Sequence, residues 1–425
     1  MKYKFFTVVL PIIALVVASF YITIQFIKPS PKKEITIATG SKNGNYYKTA
    51  LEYKALLEKE NVKVNLINSA GSVENIELLK QNKADMAFVQ NGTITNEIAP
   101  NIKSLASIYY EPLWVFYKND GFSVDYIIQF ITKKISINKI GSGTRDLAIQ
   151  ILKDNGIDET NSTILDYDTD KSKEALLKGE IDVVFIVSSH KSEAIKELLE
   201  DPKINLFSFK RARAYSRKYP YLEALNLYEG TLDLYKNLPD ENKNLLATTA
   251  NLVVKKDFSE ELKRLVLKKI KEVHNKKDLF AKAGQFPNPY NMVLDLDEEA
   301  QKYFKYGDTW LEKIFPYWIA SNIDRLKILI IPLLTLLFPL FKGFYPLYNW
   351  SMRSKIYRWY DEVRQLDEEV DNKDKNKLQN ELESLEKLRR EISKETKVPL
   401  AYMGEYYNLQ LHLDHIIFKI EKKLK

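Results

Sequence analysis

The sequence predicts an α/β fold of two similar lobes, bracketed by two membrane spans and followed by a helical tail. Three observations predict it. Strand-like and helix-like segments alternate through much of the chain, a sequence pattern returns about a hundred residues after it first appears, and two long apolar stretches flank that region.

Residues 5–27 are 23 consecutive uncharged residues, and a helix of about 20 crosses a hydrocarbon core. Phe20, Tyr21 and Ile22 are bulky where a cleaved signal carries small residues. Residues 1–33 therefore read as an uncleaved anchor rather than a removed signal. Lys2 and Lys4 before the stretch and Lys28, Lys32 and Lys33 after it leave its orientation undecided.

Residues 35–39 read as a short buried strand, followed by a polar loop from Gly40 to Tyr47 and a helix carrying Ala50, Leu51, Tyr53, Leu56 and Leu57. A strand over 62–67, a turn at Gly71 and Ser72, a helix over 73–81 and a strand over 85–89 continue the alternation. The pattern then repeats: residues 135–137 lead to Gly141, Ser142, Gly143 and Thr144 and a helix through Leu147, Ile151 and Leu152. Residues 176–185 echo residues 79–88, with Asp182 standing where Asp85 stood. The expected domain covers 34–312, with lobe 1 over about 34–115 and 215–312 and lobe 2 over about 118–212. A ligand site is expected in the cleft between them.

Residues 328–341 are a second uncharged stretch. Lys342 can snorkel to an interface, and Tyr345, Tyr348 and Trp350 supply an aromatic belt, so a span over about 327–349 is expected within a segment 313–350. Pro332, Pro339 and Pro346 recur along it, marking either an irregular anchor or a hinge. Arg353, Lys355, Arg358 and Arg364 then favour a cytoplasmic C-terminus, which places both termini on that side and the two-lobed domain outside. Residues 351–425 read as a cytoplasmic helical hairpin or coiled coil. Leu378, Leu382, Leu385 and Ile392 line one face, Pro399 breaks the helix, and Leu409, Leu413, Ile416 and Ile420 line a second. The tail either packs on itself or serves self-association or a cytoplasmic partner.

Composition excludes several function classes. The chain has 425 residues, 45% hydrophobic and 12% aromatic, so it folds; it has no cysteine, which removes disulfides and thiolate chemistry, and four histidines, which disfavours a zinc site. His412 and His415 lack companion ligands. Net charge is +7, but Arg211, Arg213, Arg217 and Lys218 on an outer domain read as a solvated or membrane-facing surface, not a nucleic-acid patch. His190 follows Ser188 and Ser189, yet no G-x-S-x-G elbow exists, so no enzyme is expected. No cofactor is expected either, because nucleotide-binding glycine spacings are absent.

Helix starts leave unpaired N–H groups that favour an anion by about 0.3–2 kcal/mol. Gly40 and Ser41, Gly71 and Ser72, and Gly141 to Thr144 are three such starts, and glycine lets a ligand approach the backbone. Ordinary N-capping explains any one of them; three at equivalent junctions point to an anion site. Arg145 suits a carboxylate by its guanidinium fork. Asp85 and Asp182 read as structural turn residues.

The runs 37–47, 70–76 and 84–90, with 141–144 and 179–182, resemble the TAXI solute-binding proteins of TRAP transporters over about 34–295. Residues 211–215, 245–252, 315–320 and 353–360 resemble a membrane-anchored branch of that family. The resemblance implies a two-lobed periplasmic-binding-protein-like (type II) fold that binds a small organic anion, a carboxylate or acidic amino acid, without turnover. It implies a TRAP-type permease as partner and the bacterial inner membrane as location. It also implies Ser41, Tyr46, Tyr47, Ser72, Asn75, Gln90, Ser142, Gly143 and Thr144 as site residues. Tyr46 and Tyr47 point differently on a helix, which leaves one for the core; Asn75 and Gln90 either touch ligand or brace the fold. The alternative function is a ligand-responsive sensor or scaffold signalling through the second span to the tail.

Overall fold

The computed structural model describes residues 14, 17–25, 32–370 and 374–424. The chain divides into two units, Pro29–Asp324 and the combination of Met1–Lys28 with Arg325–Lys425.

In the first unit, β1 (Glu34–Ala38), α1 (Asn45–Glu58), β2 (Lys63–Ile67), α2 (Ser72–Lys80) and β3 (Met86–Gln90) alternate, and β1 pairs in parallel with both other strands. Tyr53 and Leu57 recur at helical spacing on α1 and meet Ile35, Ile37, Val64 and Phe88 in one core. The 17-residue strand β4 (Ile102–Lys118) then leaves this lobe. Leu105 and Ile108 belong to the first core, whereas Leu113 and Val115 belong to the next.

The second lobe repeats the plan with β5 (Lys134–Ser136), α3 (Gly143–Asp154), β6 (Thr163–Leu165), α4 (Thr169–Leu177) and β7 (Val183–Val187), and β5 again pairs in parallel on both sides. It continues with α5 (Glu193–Glu200), β8 (Ile204–Leu206), α6 (Ala212–Lys218) and β9 (Glu223–Leu227). The chain returns along β10 (Lys243–Lys255), antiparallel to β4, giving the order β2-β1-β3-β10-β4-β7-β5-β6. Helices α7 (Glu260–His274) and α8 (Glu298–Tyr306) complete the first lobe.

The return to lobe 1 comes later than the expected residue 215. Leu222, Leu227, Leu245 and Leu246 pack in the second lobe's cores, and the handover occurs on β10, where Ala250, Leu252 and Val254 enter the first. The echoed aspartates do the same job twice. Asp85 Oδ2 accepts the Thr36 N–H at 2.9 Å while its own N–H donates to the Thr36 carbonyl, and Asp182 does the same with Lys134. Each hooks the incoming strand to its parallel neighbour, the structural role read from the sequence.

Helices α9 (Trp310–Ile314) and α10 (Tyr317–Leu326) follow. In the other unit, α11 (Ile330–Tyr357) runs through all three prolines. Among the described residues, Tyr317–Val370 is the helical stretch long and apolar enough, by length and composition, to cross a membrane. Of the first apolar stretch, residues 17–25 are helical and most of the remainder lies outside the described residues. After it come α12 (Tyr360–Val370), α13 (Lys375–Glu395) and α14 (Met403–Leu424). Leu378, Leu385 and Ile392 on α13 and Leu409, Leu413, Ile416 and Ile420 on α14 share one core with Val363 and Val370.

Candidate functional site

A cavity of about 250 Å³ lies between the two lobes. Its walls come from the loop at Gly40 and Ser41, the first turn of α1, the starts of α2 and α3, the ends of β3 and β7, and facing turns of α4 and α5. All are carboxyl ends of parallel strands or the helix starts that follow them, which is where an open α/β sheet leaves a crevice.

The start of α3 is open to this cavity. Ser142 caps the helix, its Oγ accepting the Arg145 N–H at 3.2 Å. The Gly143 and Thr144 N–H groups take no acceptor among the described residues, and both residues line the cavity. Thr144 Oγ1 accepts the Val187 N–H at 3.2 Å, which ties the helix to β7. Gly143 has to be glycine here: a Cβ would come within 2.7 Å of Gln90 Oε1 and 2.9 Å of its Cβ. Gln90 Nε2 instead donates across the cleft to the Gly143 carbonyl at 3.1 Å.

The start of α2 is closed by the opposite lobe. The Gly141 carbonyl accepts the Val73 N–H at 3.2 Å, Ser69 Oγ accepts the Gly71 N–H, and Glu74 Oε2 accepts the Ala70 N–H. This backbone approach is tight, since a Cβ on Gly71, whose φ is +136°, would sit 3.3 Å from Ser142 Cα. The Val73 and Glu74 N–H groups of the second expected anion grip are therefore taken by protein, while the Ser72 N–H takes no acceptor among the described residues. Ser72 still lines the cavity, with its Oγ accepting the Gln90 N–H at 2.8 Å.

Gly40, Ser41, Tyr46, Ser72, Gln90, Ser142, Gly143 and Thr144 thus converge, and three expected residues do not. Asn75 is completely buried beneath the site, donating to the Thr39 and Phe88 carbonyls at 2.5 and 2.7 Å and accepting from Ser69 Oγ. It braces the turn. Tyr47 is not among the lining residues, as the divergence of consecutive helical side chains requires. Arg145 is corrected from ligand counterion to structural partner: its guanidinium pairs with Asp166 beside β6, away from the cavity.

The structure adds residues that sequence reasoning missed. Glu111 on β4 is 4% exposed, lines the cavity, and accepts the Tyr46 hydroxyl at 2.7 Å. Burial pushes its carboxyl up to about 8, with the Tyr46 hydroxyl pulling the other way. Tyr46 is itself held well above the usual phenol range, by burial first and the Glu111 charge second, and its ring stacks on Phe88 at 5.3 Å. Asn43 Nδ2 donates across the cleft to Asp170 Oδ2 at 3.0 Å. Lys173 and Glu197 form an ion pair at 2.6 Å on the second lobe's wall. A lone charged residue inside the otherwise uncharged run 104–117 was the available signal for Glu111.

His190 faces Asp278 at 3.3 Å and stands edge-on to Phe280, and burial pulls its pKa down. Ser188 lends its carbonyl to Trp114 Nε1, and Ser189 Oγ accepts the Lys191 N–H. The three residues brace the end of β7.

Residues 37–305 match the model of the NMT1-like family. No curated protein matches the chain. Among solved structures, a protein of Bordetella bronchiseptica RB50 is 14% identical with a TM-score of 0.43, covering 65% of this chain and 99% of its own. An amino acid ABC transporter substrate-binding protein of Streptococcus pneumoniae, solved with L-arginine, is 17% identical with a TM-score of 0.38, covering 58% of this chain and 92% of its own. The benzoate-bound effector domain of BenM is 14% identical with a TM-score of 0.38, covering 61% of this chain and 100% of its own.

Proposed function

Because the chain belongs to the NMT1-like family, we propose that it is a solute receptor that captures a small carboxylate or acidic amino acid between its lobes. The observation that carries this reading is the open start of α3, where Gly143 and Thr144 line a cavity of about 250 Å³ and their N–H groups take no acceptor among the described residues. Such a volume suits a small metabolite and falls below the roughly 300–1,000 Å³ of drug-sized ligand sites. The TAXI-like motifs support delivery to a TRAP-type permease. The two apolar stretches support a two-pass anchor in a bacterial inner membrane, with the lobes outside and both termini cytoplasmic.

Calorimetric titration of the full chain in nanodiscs against dicarboxylates and acidic amino acids tests the reading. Micromolar or tighter binding of one class is expected; a folded sample that binds no carboxylate refutes it.

The helical bundle of α12 to α14, with its own apolar core, favours a second reading, in which ligand capture is signalled to a cytoplasmic partner. Affinity capture on the full chain separates the two. A co-purifying permease supports transport, and a signalling protein without a permease supports sensing.

A further inference from the structure

The carboxylate reading leaves one buried group in the cleft without a task. Glu111 sits where β4 passes from the first lobe to the second, opposite Thr248 of β10. Its Oε2 is taken by the Tyr46 hydroxyl, while Oε1 has no donor among the described residues. The chain thus keeps a glutamate that is 4% exposed on a cavity wall, with one carboxyl oxygen unmatched among the described residues.

The surroundings do not supply a cation for it. Tyr109 and Tyr110 flank it on its own strand, and Tyr109 leads on to His274 of α7, which burial holds at about 3 and therefore neutral. β10 presents Thr248 and Thr249, which do not titrate. On the cavity walls α1 contributes Tyr46 and Lys48, α4 contributes Asp170 and Lys173, and α5 contributes Glu193 and Glu197. Lys173 is paired with Glu197, and Lys48 is exposed. Four carboxyl groups therefore face two lysines, a poor setting for a purely anionic ligand and a good one for a ligand with a positive end. An ionised carboxylate this buried needs a cation; without one it holds a proton, in keeping with a carboxyl pushed up to about 8.

We propose that Glu111 selects ligands bearing an ammonium group: the ligand carboxylate docks on the Gly143 and Thr144 N–H groups, and its ammonium replaces the proton of Glu111. The O–H bond of the Glu111 carboxyl breaks, the proton passes to solvent, and the resulting carboxylate pairs with an ammonium that was already protonated. This rests on the solute-receptor reading and narrows its ligand to amino acids rather than dicarboxylates.

The test is calorimetry of the full chain in nanodiscs with the protein amino acids, each binder compared with its des-amino analogue (glutarate for L-glutamate, succinate for L-aspartate). Each titration is run in two buffers of different ionisation heat, at pH 6, 7 and 8. The expected result is preference for the amino acid, release of close to one proton near pH 7, and an affinity about fifty-fold higher at pH 8 than at pH 6. Glu111→Gln is expected to abolish proton release and erase the preference for the amino acid over its analogue. Because proton release is read on the unmodified chain, the test survives a variant that fails to fold.

Equal affinity for both members of each pair overturns the assignment while leaving the receptor reading intact. So does affinity that falls as pH rises, the sign expected if a protonated Glu111 donates to a ligand carboxylate. A chain that binds neither class fails as a receptor of carboxylates, and the Glu111 assignment falls with it.

Discussion

At Tyr46 one hydroxyl ties the first helix to the floor of the cleft. Its bond to Glu111 is the influence that lowers that carboxyl, against burial that raises it. Tyr46→Phe removes the bond while keeping the ring on Phe88, so the Glu111 midpoint is expected to rise above its value of about 8. Infrared titration of the protonated-carboxyl band follows it, and an unchanged or lower midpoint counts against the pairing. Residue identity alone told only part of this. Ser142, Gly143 and Thr144 were legible because a helix start advertises itself through glycine and hydroxyl residues. Asn75 was legible as important but not in role, since an amide that binds ligand and an amide that ties two buried carbonyls use the same donors. Arg145 misled for a similar reason: its guanidinium fits any carboxylate, and Asp166 is brought beside it by the β6 turn rather than by the chain around it.

Elements are held by few groups where they meet. Lys263 of α7 and Asp297 form an ion pair at 2.6 Å with each side chain 5% exposed, and Asp297 also caps α8 through the N–H groups of Glu299 and Ala300. Asp297→Ala strands a buried ammonium and uncaps a helix at once. A loss of about 3–5 kcal/mol is expected in urea unfolding, because breaking a buried pair costs far more than the pair itself contributes. At α3, Gly143→Ala pushes a methyl into Gln90 and severs the bond between the lobes. One such hydrogen bond corresponds to about 0.5–1.5 kcal/mol, so ligand affinity is expected to fall roughly two- to tenfold, read by calorimetry. The elements themselves were the most legible part of the sequence. Strands with Asp85 and Asp182 at their mouths recur with the same turn chemistry, and local chemistry is what sequence pattern records. The return point between lobes was read too early: β10 is apolar along both halves, and the polar Thr248, Thr249 and Asn251 that stand at its change of cores gain that meaning only once the strand is seen to join the lobes.

Across the cleft the two lobes are held face to face by a few bonds, and in a solute receptor these would make closure part of binding. Asn43 to Asp170, Val73 to the Gly141 carbonyl, and Gln90 to the Gly143 carbonyl all cross the cleft at its mouth or floor. The Val73 bond is backbone to backbone and the Gln90 bond is the one Gly143→Ala already disturbs, so Asn43 is the place to test what closure contributes by itself. Its amide sits on the loop before α1, and Asn43→Ala removes the donor without touching the α3 amides or Glu111. A bond made after the ligand has entered resists its departure but does not help its arrival. Stopped-flow measurements are therefore expected to show release accelerated roughly two- to tenfold, the range of one net hydrogen bond, with association little changed. If association slows instead and release stays the same, Asn43 acts on the entry path, and the closed cleft is held by the Val73 and Gln90 bonds without help from this side chain.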